Sequence, residues 1–184
     1  KFSQGFVLKK ARGGYDGFGT FYVRKEADIA ALQEKFPGPC IAEAFVKFKR
    51  ELSLIAVCGE KERIFLPLVE THQKDSRCDW VLGPAKATAL KPLQTKLSAF
   101  LKKTGYRGVI AFELFETAQG LLVNEIAPRV HNSGHVTMQA LSRSQFDLHW
   151  EAGLGLRLDE PTALAKAFVM TNLLRGVVLR GTAK

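Results

Sequence analysis

Two glutamates, Glu113 and Glu125, stand on either side of a turn signal in the stretch "FELFETAQGLLVNE". A three-residue hairpin loop of Ala118, Gln119 and Gly120, with glycine where positive φ is needed, makes Thr117 face Leu121 and pairs Glu113 directly with Glu125. On that register Glu113 shares a face with Ala111 and Phe115, and Glu125 with Leu121 and Val123, so two carboxylates project together from a mainly apolar surface. Like charges set opposite each other destabilise a strand pair. A hard cation such as magnesium, held by both carboxylates and shared with phosphate oxygens, neutralises them. A turn shifted by one residue would instead send the two side chains to opposite faces and leave ordinary edge glutamates.

Two other stretches carry chemistry. "ARGGYDGFGT" places four glycines just after a strand-like run, and such a loop lets backbone N–H groups close on phosphate oxygens; the plain alternative is a mobile hairpin turn. It matches neither the Walker loop nor the dinucleotide fingerprint. Lys9, at the end of the preceding strand, can reach a phosphate as a point charge or serve as a surface lysine. "RVHNSGH" gathers Arg129, His131, Asn132 and His135; Pro128, Asn132, Ser133 and Gly134 argue against a helix, and with it against a helical His131/His135 zinc pair. A guanidinium, an imidazole and an amide suit anionic substrate atoms, unless the loop's polar groups serve only to cap a helix.

The elements that must position these groups follow from hydrophobic spacing. "GFVLKK" and "TFYVR" read as strands around the glycine tip, and "KEADIAALQEKF" as a helix stopped by "PGP". "CIAEAFV", "ELSLIAVCG" and "RIFLPLVE" read as three more strands, and residues 70–86 as a long loop without a clear period. Leu93, Leu97, Phe100 and Leu101 mark one face of a helix that Gly105 ends, followed by the strands "GVIAFELFE" and "GLLVNEIA". "TMQALSRSQFDLHWEAGLG" reads as a single helix and "LAKAFVMTNLL" as a last strand. Strands and helices mix without strict alternation, which predicts an α+β fold with largely antiparallel sheets.

Composition narrows the class. The 184 residues, 46% hydrophobic, suit one domain or two small subdomains. No apolar run is long enough to span a bilayer, and the chain reads as soluble and unexported. Cys40, Cys58 and Cys78 lie too far apart for a zinc clip or a redox pair, which fits a reducing cytoplasm. A formal charge of +9 favours polyanionic partners, nucleotide phosphates or nucleic acid, although the basic residues are scattered along the chain. No serine, cysteine and histidine are arranged for nucleophilic catalysis.

Taken together, "LKKARGGYDGFG", "CIAEAFVKFKRELSLIAV", "GVIAFELFETAQGLLVNEIAPRVHNSGH" and "SQFDLHWEAGLGL" resemble segments of the 5-(carboxyamino)imidazole ribonucleotide synthetases, ATP-grasp ligases of purine biosynthesis. The resemblance covers most of residues 6–158, and "NEIAPRVHNSGH" is its most specific part. It implies an ATP-grasp core divided into a small subdomain over 1–70, with flap and adenine hinge, and a large subdomain over 71–184, with the metal site. It also implies ATP and magnesium, or manganese in its place, as cofactors. Lys9 would bind ATP; Gly14, Tyr15, Asp16, Gly17, Phe18, Gly19 and Thr20 would form the flap over the triphosphate. Glu43, Ala44, Phe45 and Val46 would meet adenine and Glu51 the ribose, while Glu113 and Glu125 would hold the metal with Asn124 beside them. Arg129, His131 and Asn132 would face bicarbonate, carboxyphosphate or aminoimidazole ribonucleotide. The partners implied are these small molecules, with neither nucleic acid nor membrane, and family members often form homodimers.

Phe18 replaces a common Lys or Arg of the family, Thr20 a usual Gln, and Gln73 stands at the family's histidine position with His72 one place earlier. The resemblance begins mid-enzyme and ends before a full C-terminal segment, so the chain alone is expected to be a fragment with little or no synthetase activity. The rival readings are another ATP-grasp carboxylase or ligase, and a noncatalytic nucleotide- or nucleic-acid-binding module.

Overall fold

The structure, a computed structural model, describes residues 5–14, 19–30, 32, 38–74 and 77–173. They divide into two compact units, residues 1–47 with 74–77, and residues 48–73 with 78–184.

In the first unit β1 (Phe6–Lys10) lies between β2 (Thr20–Val23) and β3 (Cys40–Ala44), antiparallel to both. The expected hairpin around the glycine tip is present, with Lys9 paired to Thr20 and Phe6 to Val23. Helix α1 spans Glu26–Ala30, and Leu32 beyond it is helical and buried; the rest of the expected helix lies outside the described residues.

The second unit is built on a mainly antiparallel sheet in the order β10-β7-β6-β4-β8-β9, with β5 paired to β4 off that path. The strands are β4 (Arg50–Cys58), β5 (Arg63–Phe65), β6 (Val69–Lys74), β7 (Arg77–Gly83), β8 (Gly108–Thr117), β9 (Gly120–Ala127) and β10 (Phe168–Thr171). β4 pairs with β8 from Arg50↔Glu116 to Cys58↔Gly108. That ladder places residues 48–70 with the large sheet, whereas the sequence reading set the division at residue 70.

Both central strands are apolar on both sides, as strands covered on two faces must be. On one face Ile55, Val57, Val109, Ala111 and Ala127 pack with Val136, Ala140, Leu148 and Ala152. On the other, Leu52, Leu54, Ala56, Ile110, Phe112 and Leu114 pack with Leu97 and Leu101 of α2 (Leu90–Thr104). Burying each such leucine is worth roughly 1.5–3 kcal/mol, so this core can carry a few unfavourably placed charges on the same sheet. α2 stops at Gly105, whose φ of 65° is the left-handed cap conformation. Phe100, expected on its buried face, is 44% exposed because the packed stripe runs through Leu97 and Leu101.

Three expectations are corrected. Residues 70–86 are not a long loop: β6 and β7 occupy most of them, and their period is hidden because buried positions hold Thr71 and Cys78 where large aliphatics would have signalled a strand. "RIFLPLVE" is two strands, divided around Pro67, which cannot donate to a ladder. "TMQALSRSQFDLHWEAGLG" is also two elements, α3 (Thr137–Ala140) and α4 (Gln145–Gly153), separated by Leu141 in extended conformation bridged to Ala163.

The second helix starts at a capping box. Ser144 Oγ accepts from the Asp147 N–H at 3.2 Å, and Asp147 Oδ2 accepts from the Ser144 N–H at 2.8 Å. Hydrogen bonds from the Ser144 hydroxyl and backbone hold the Asp147 carboxyl below the ordinary aspartate range. A carboxyl depressed in the folded state stabilises the fold above its unfolded value near ~3.9, and that contribution disappears as pH falls through the lower folded value. Asp147→Asn should therefore lower stability by a few tenths of a kcal/mol, about 0.5 at most because solvent screens the exposed carboxylate, at neutral pH and by progressively less below about pH 4, as read by denaturant titration across that range.

Candidate functional site

The carboxylate hairpin forms, by a route different from the one expected. Thr117 pairs with Gly120, so the tip is a two-residue loop of Ala118 and Gln119, not the three-residue loop that would pair Thr117 with Leu121. Thr117 Oγ1 tightens it, donating to the Gly120 carbonyl at 2.9 Å and accepting from the Gln119 N–H at 3.1 Å. From there Glu116, Phe115 and Leu114 face Leu121, Leu122 and Val123. A β-bulge then intervenes with Asn124 as the extra residue, and beyond it Glu113 faces Glu125, Phe112 faces Ile126 and Ala111 faces Ala127. The bulge restores the pairing that the shorter turn would have destroyed. It also corrects the company Glu125 keeps: Leu121 and Val123 pack on the α2 side, whereas Glu125 aligns with Ala127 on the opposite face.

β4 adds to that face. Ser53 lies directly opposite Glu113, and Glu51 opposite Phe115, so Glu51, Glu113 and Glu125 share one surface over three neighbouring strands. Glu113 is half-buried and Glu125 exposed. Burial pushes the Glu51 carboxyl above its ordinary range, and the negative charge of Glu113 adds to the effect.

Across this surface runs the loop after β9, closed by a 3-10 turn over Asn132–Gly134. His131 Nε2 lies 3.2 Å from Glu113 Oε1. Its Nδ1 is 2.9 Å from Ser133 Oγ, which is in turn 2.7 Å from Ser53 Oγ. The backbone of His131 is clamped by the fully buried Gln145, whose Oε1 accepts from the His131 N–H at 3.0 Å while its Nε2 donates to the His131 carbonyl at 2.7 Å. Asn132 Oδ1 accepts from Asn172 Nδ2 at 2.9 Å, and the same amide donates to the Cys78 carbonyl. That bond occupies the carbonyl end of the Asn132 amide and leaves its NH2 end for a ligand. Arg129 does not join this group: its exposed guanidinium donates to the neighbouring Val130 carbonyl at 3.0 Å.

The two histidines have different neighbours, Glu113 and Ser133 for His131 and Phe146 for His135. His135 stacks on Phe146 at 5.6 Å, and burial, followed by the proximity of His131, pushes its pKa down. The Cys78 thiol is pushed up to about 11 by burial and then by the negative charges of Glu113, Asp79 and Glu51.

Among the described residues, no group of three or more His, Cys, Asp and Glu forms a ready-made metal cage. Two facing carboxylates beside a third whose ionisation is disfavoured nevertheless make an all-oxygen donor set short of positive charge. That suits magnesium, which commonly takes one or two carboxylates and completes its shell with water and substrate phosphates.

In the first unit Lys9 Nζ pairs with Glu43 Oε2 at 2.7 Å. Gly14 is exposed; Gly19, at φ 91°, accepts from the Lys10 N–H at 2.8 Å, and Thr20 opens β2. Tyr15, Asp16, Gly17 and Phe18 lie outside the described residues. Ala44 ends β3; the Phe45 ring lies parallel to Tyr22 at 6.2 Å with the Arg24 guanidinium 5.0 Å from its centroid, and Val46 is half-buried. In the second unit, at the position where the family's histidine was in question, Gln73 is half-buried in β6, while His72 stacks on Trp80 at 5.3 Å with Nδ1 3.4 Å from Asp79 Oδ2.

Spacing alone missed Ser53, Ser133, Gln145 and Asn172. All four act through contacts distant in sequence, and only the "HNSG" loop hinted that something must dock it.

A glycine-tipped three-stranded sheet, a second antiparallel sheet and a facing pair of acidic side chains define the ATP-grasp class, and the chain belongs to the ATP-grasp family: the ATP-grasp domain model matches residues 1–146. Its relatives narrow this further. It is 39% identical to the N5-carboxyaminoimidazole ribonucleotide synthase of Synechocystis sp. over 92% of this chain and 47% of that protein. The crystal structure of the Staphylococcus aureus N5-carboxyaminoimidazole synthetase complexed with ADP superposes with a TM-score of 0.87 at 32% identity, covering 94% of this chain and 47% of that one. The Aspergillus clavatus synthase in complex with ADP and 5-aminoimidazole ribonucleotide gives 0.72 at 32% identity, over 86% and 42%. The chain thus spans about half the length of the curated relatives it matches.

Proposed function

We propose that this chain is the ATP-binding core of an N5-carboxyaminoimidazole ribonucleotide synthase. In this reading ATP phosphorylates bicarbonate, and the carboxyphosphate formed, directly or through carbon dioxide, converts the exocyclic amine of aminoimidazole ribonucleotide into a carbamate, with release of ADP and phosphate. The observation that carries it is the facing pair Glu113 and Glu125 with His131 seated on Glu113.

Glu113 and Glu125 would hold magnesium, with Asn124 beside them. When bound, the ion neutralises phosphate charge during phosphoryl transfer. Lys9, exchanging Glu43 for a phosphate, supplies a point charge, and Gly14, Gly19 and Thr20 contribute to the flap. Glu43, Ala44, Phe45 and Val46 meet adenine, and Glu51 accepts from the ribose hydroxyls. The imidazole of His131, exchanging Glu113 for substrate oxygens at Nε2–H, and the NH2 of Asn132 donate to bicarbonate, carboxyphosphate or the ribonucleotide, and Arg129 adds positive charge near the same loop. Positioning and electrostatics do the chemistry, without a protein nucleophile.

The reaction takes small molecules only, and its place is the cytoplasm. No described helix is long and apolar enough to cross a membrane.

The test is ADP release by the full-length protein containing this chain, given ATP, magnesium and bicarbonate. Release that depends on aminoimidazole ribonucleotide supports the proposal, and stimulation by a different acceptor rejects it.

A further inference from the structure

Four polar side chains close a ring on the sheet face. Ser53 and Glu113 are cross-strand partners on β4 and β8. The ring passes from Ser53 Oγ to Ser133 Oγ (2.7 Å), from Ser133 Oγ to His131 Nδ1 (2.9 Å) and from His131 Nε2 to Glu113 Oε1 (3.2 Å). Donor and acceptor chemistry orders it. A carboxylate only accepts, so the ring faces Glu113 with its Nε2–H, and the Ser133 N–H is directed at Nδ1 from 3.4 Å. The single Ser133 hydroxyl joins Nδ1 to Ser53 Oγ, so the line from the sheet to the ring runs through one oxygen.

Both serines are 2% exposed, so water is poorly placed to replace either bond. The backbone is held separately, by Gln145 and by the close approach of Gly134 to Ile55. What the serines contribute is therefore the orientation of the imidazole itself.

We infer that Ser53 is a positioning residue, which through the Ser133 hydroxyl holds the His131 ring with its Nε2–H over the carboxylate pair. The inference rests on the role given above to His131. Ser53 touches no substrate, and its effect belongs to turnover rather than ATP capture. Outer partners of this kind are worth about 10–100-fold.

In the full-length protein Ser53→Ala should lower kcat by about tenfold with KM for ATP unchanged, and Ser53→Thr, which keeps the hydroxyl, should recover most of it. Ser133→Ala should do the same as Ser53→Ala, and the double variant should be no worse than the poorer single one, because both changes cut the same line. Nuclear magnetic resonance of the His131 ring gives a readout independent of activity: its nitrogen and carbon resonances should shift in Ser53→Ala. Unmoved ring resonances, or losses that multiply in the double variant, overturn the inference. If Ser53→Ala does not fold, Ser133→Ala decides by the same two measurements. A wild-type protein that carboxylates nothing rejects the functional reading alone, while the ring resonances still judge the role of Ser53.

Discussion

Glu113→Gln and Glu125→Gln should each reduce magnesium-dependent ATP turnover in the full-length protein by about 10²–10³-fold, because each removes one charged ligand from a site that must hold a cation against phosphate. Calorimetric titration of ATP should show the magnesium dependence of binding collapsing in both. The melting temperature should hold or rise slightly, since removing one of two facing carboxylates relieves like-charge repulsion. Loss of binding with an intact fold separates a ligand role from a structural one. Undiminished metal-dependent binding in either variant would remove the basis for the metal site. Salt-sensitive nucleic-acid binding indifferent to both changes would favour the noncatalytic alternative.

A different kind of failure is expected at Gly134. A Cβ there would run into Ile55 Cδ1 and Gln145 Oε1, so Gly134→Ala must either push the 3-10 turn off the sheet or displace the amide that clamps His131. Overpacking of this kind costs about 2–3 kcal/mol, or roughly a 4–12 °C drop in melting temperature for a chain of this size. Activity should fall further than stability alone explains, because the clash lies between the loop and the group that orients it. Gly153→Ala supplies the control: nothing lies near a Cβ at that helical position, and the same substitution should be neutral or mildly stabilising. Equal melting temperatures for Gly134→Ala and the wild type would show that the loop is not packed as described.

Much of this arrangement was legible from residues alone, and the exceptions have definite causes. β1, β2, β4, β8 and β9 follow from apolar runs and turn signals, and the Gly105 stop follows from the sudden end of a helical stripe. β6 and β7 escaped because Thr71 and Cys78 fill buried positions without announcing them. The break between α3 and α4 was available in Ser144 and Asp147, three residues apart as a capping box requires, but the apolar spacing that continued through them masked it. The pairing of Glu113 with Glu125 was reached from a turn one residue too long, and a bulge of one residue cancelled the difference. Periodicity counts residues between turn and site; it does not register an unpaired one in between. Ser53, Gln145 and Asn172 were beyond any local reading, since their partners lie 80, 14 and 40 residues away.

The extra residue at Asn124 also divides the hairpin into two independently phased halves. Odd-numbered side chains before it, Leu121 and Val123, lie on the helix-covered side, while those after it, Glu125 and Ala127, lie on the acidic side, so neither alternation dictates the other. The tip can therefore drift in composition under the demands of packing alone, and the acidic half under the demands of its ligand. Losing that single residue would leave Val123 opposite Leu114 and Glu125 opposite Glu113 in an unbroken ladder, so what the insertion adds is the local bend and the Asn124 side chain beside the acidic pair.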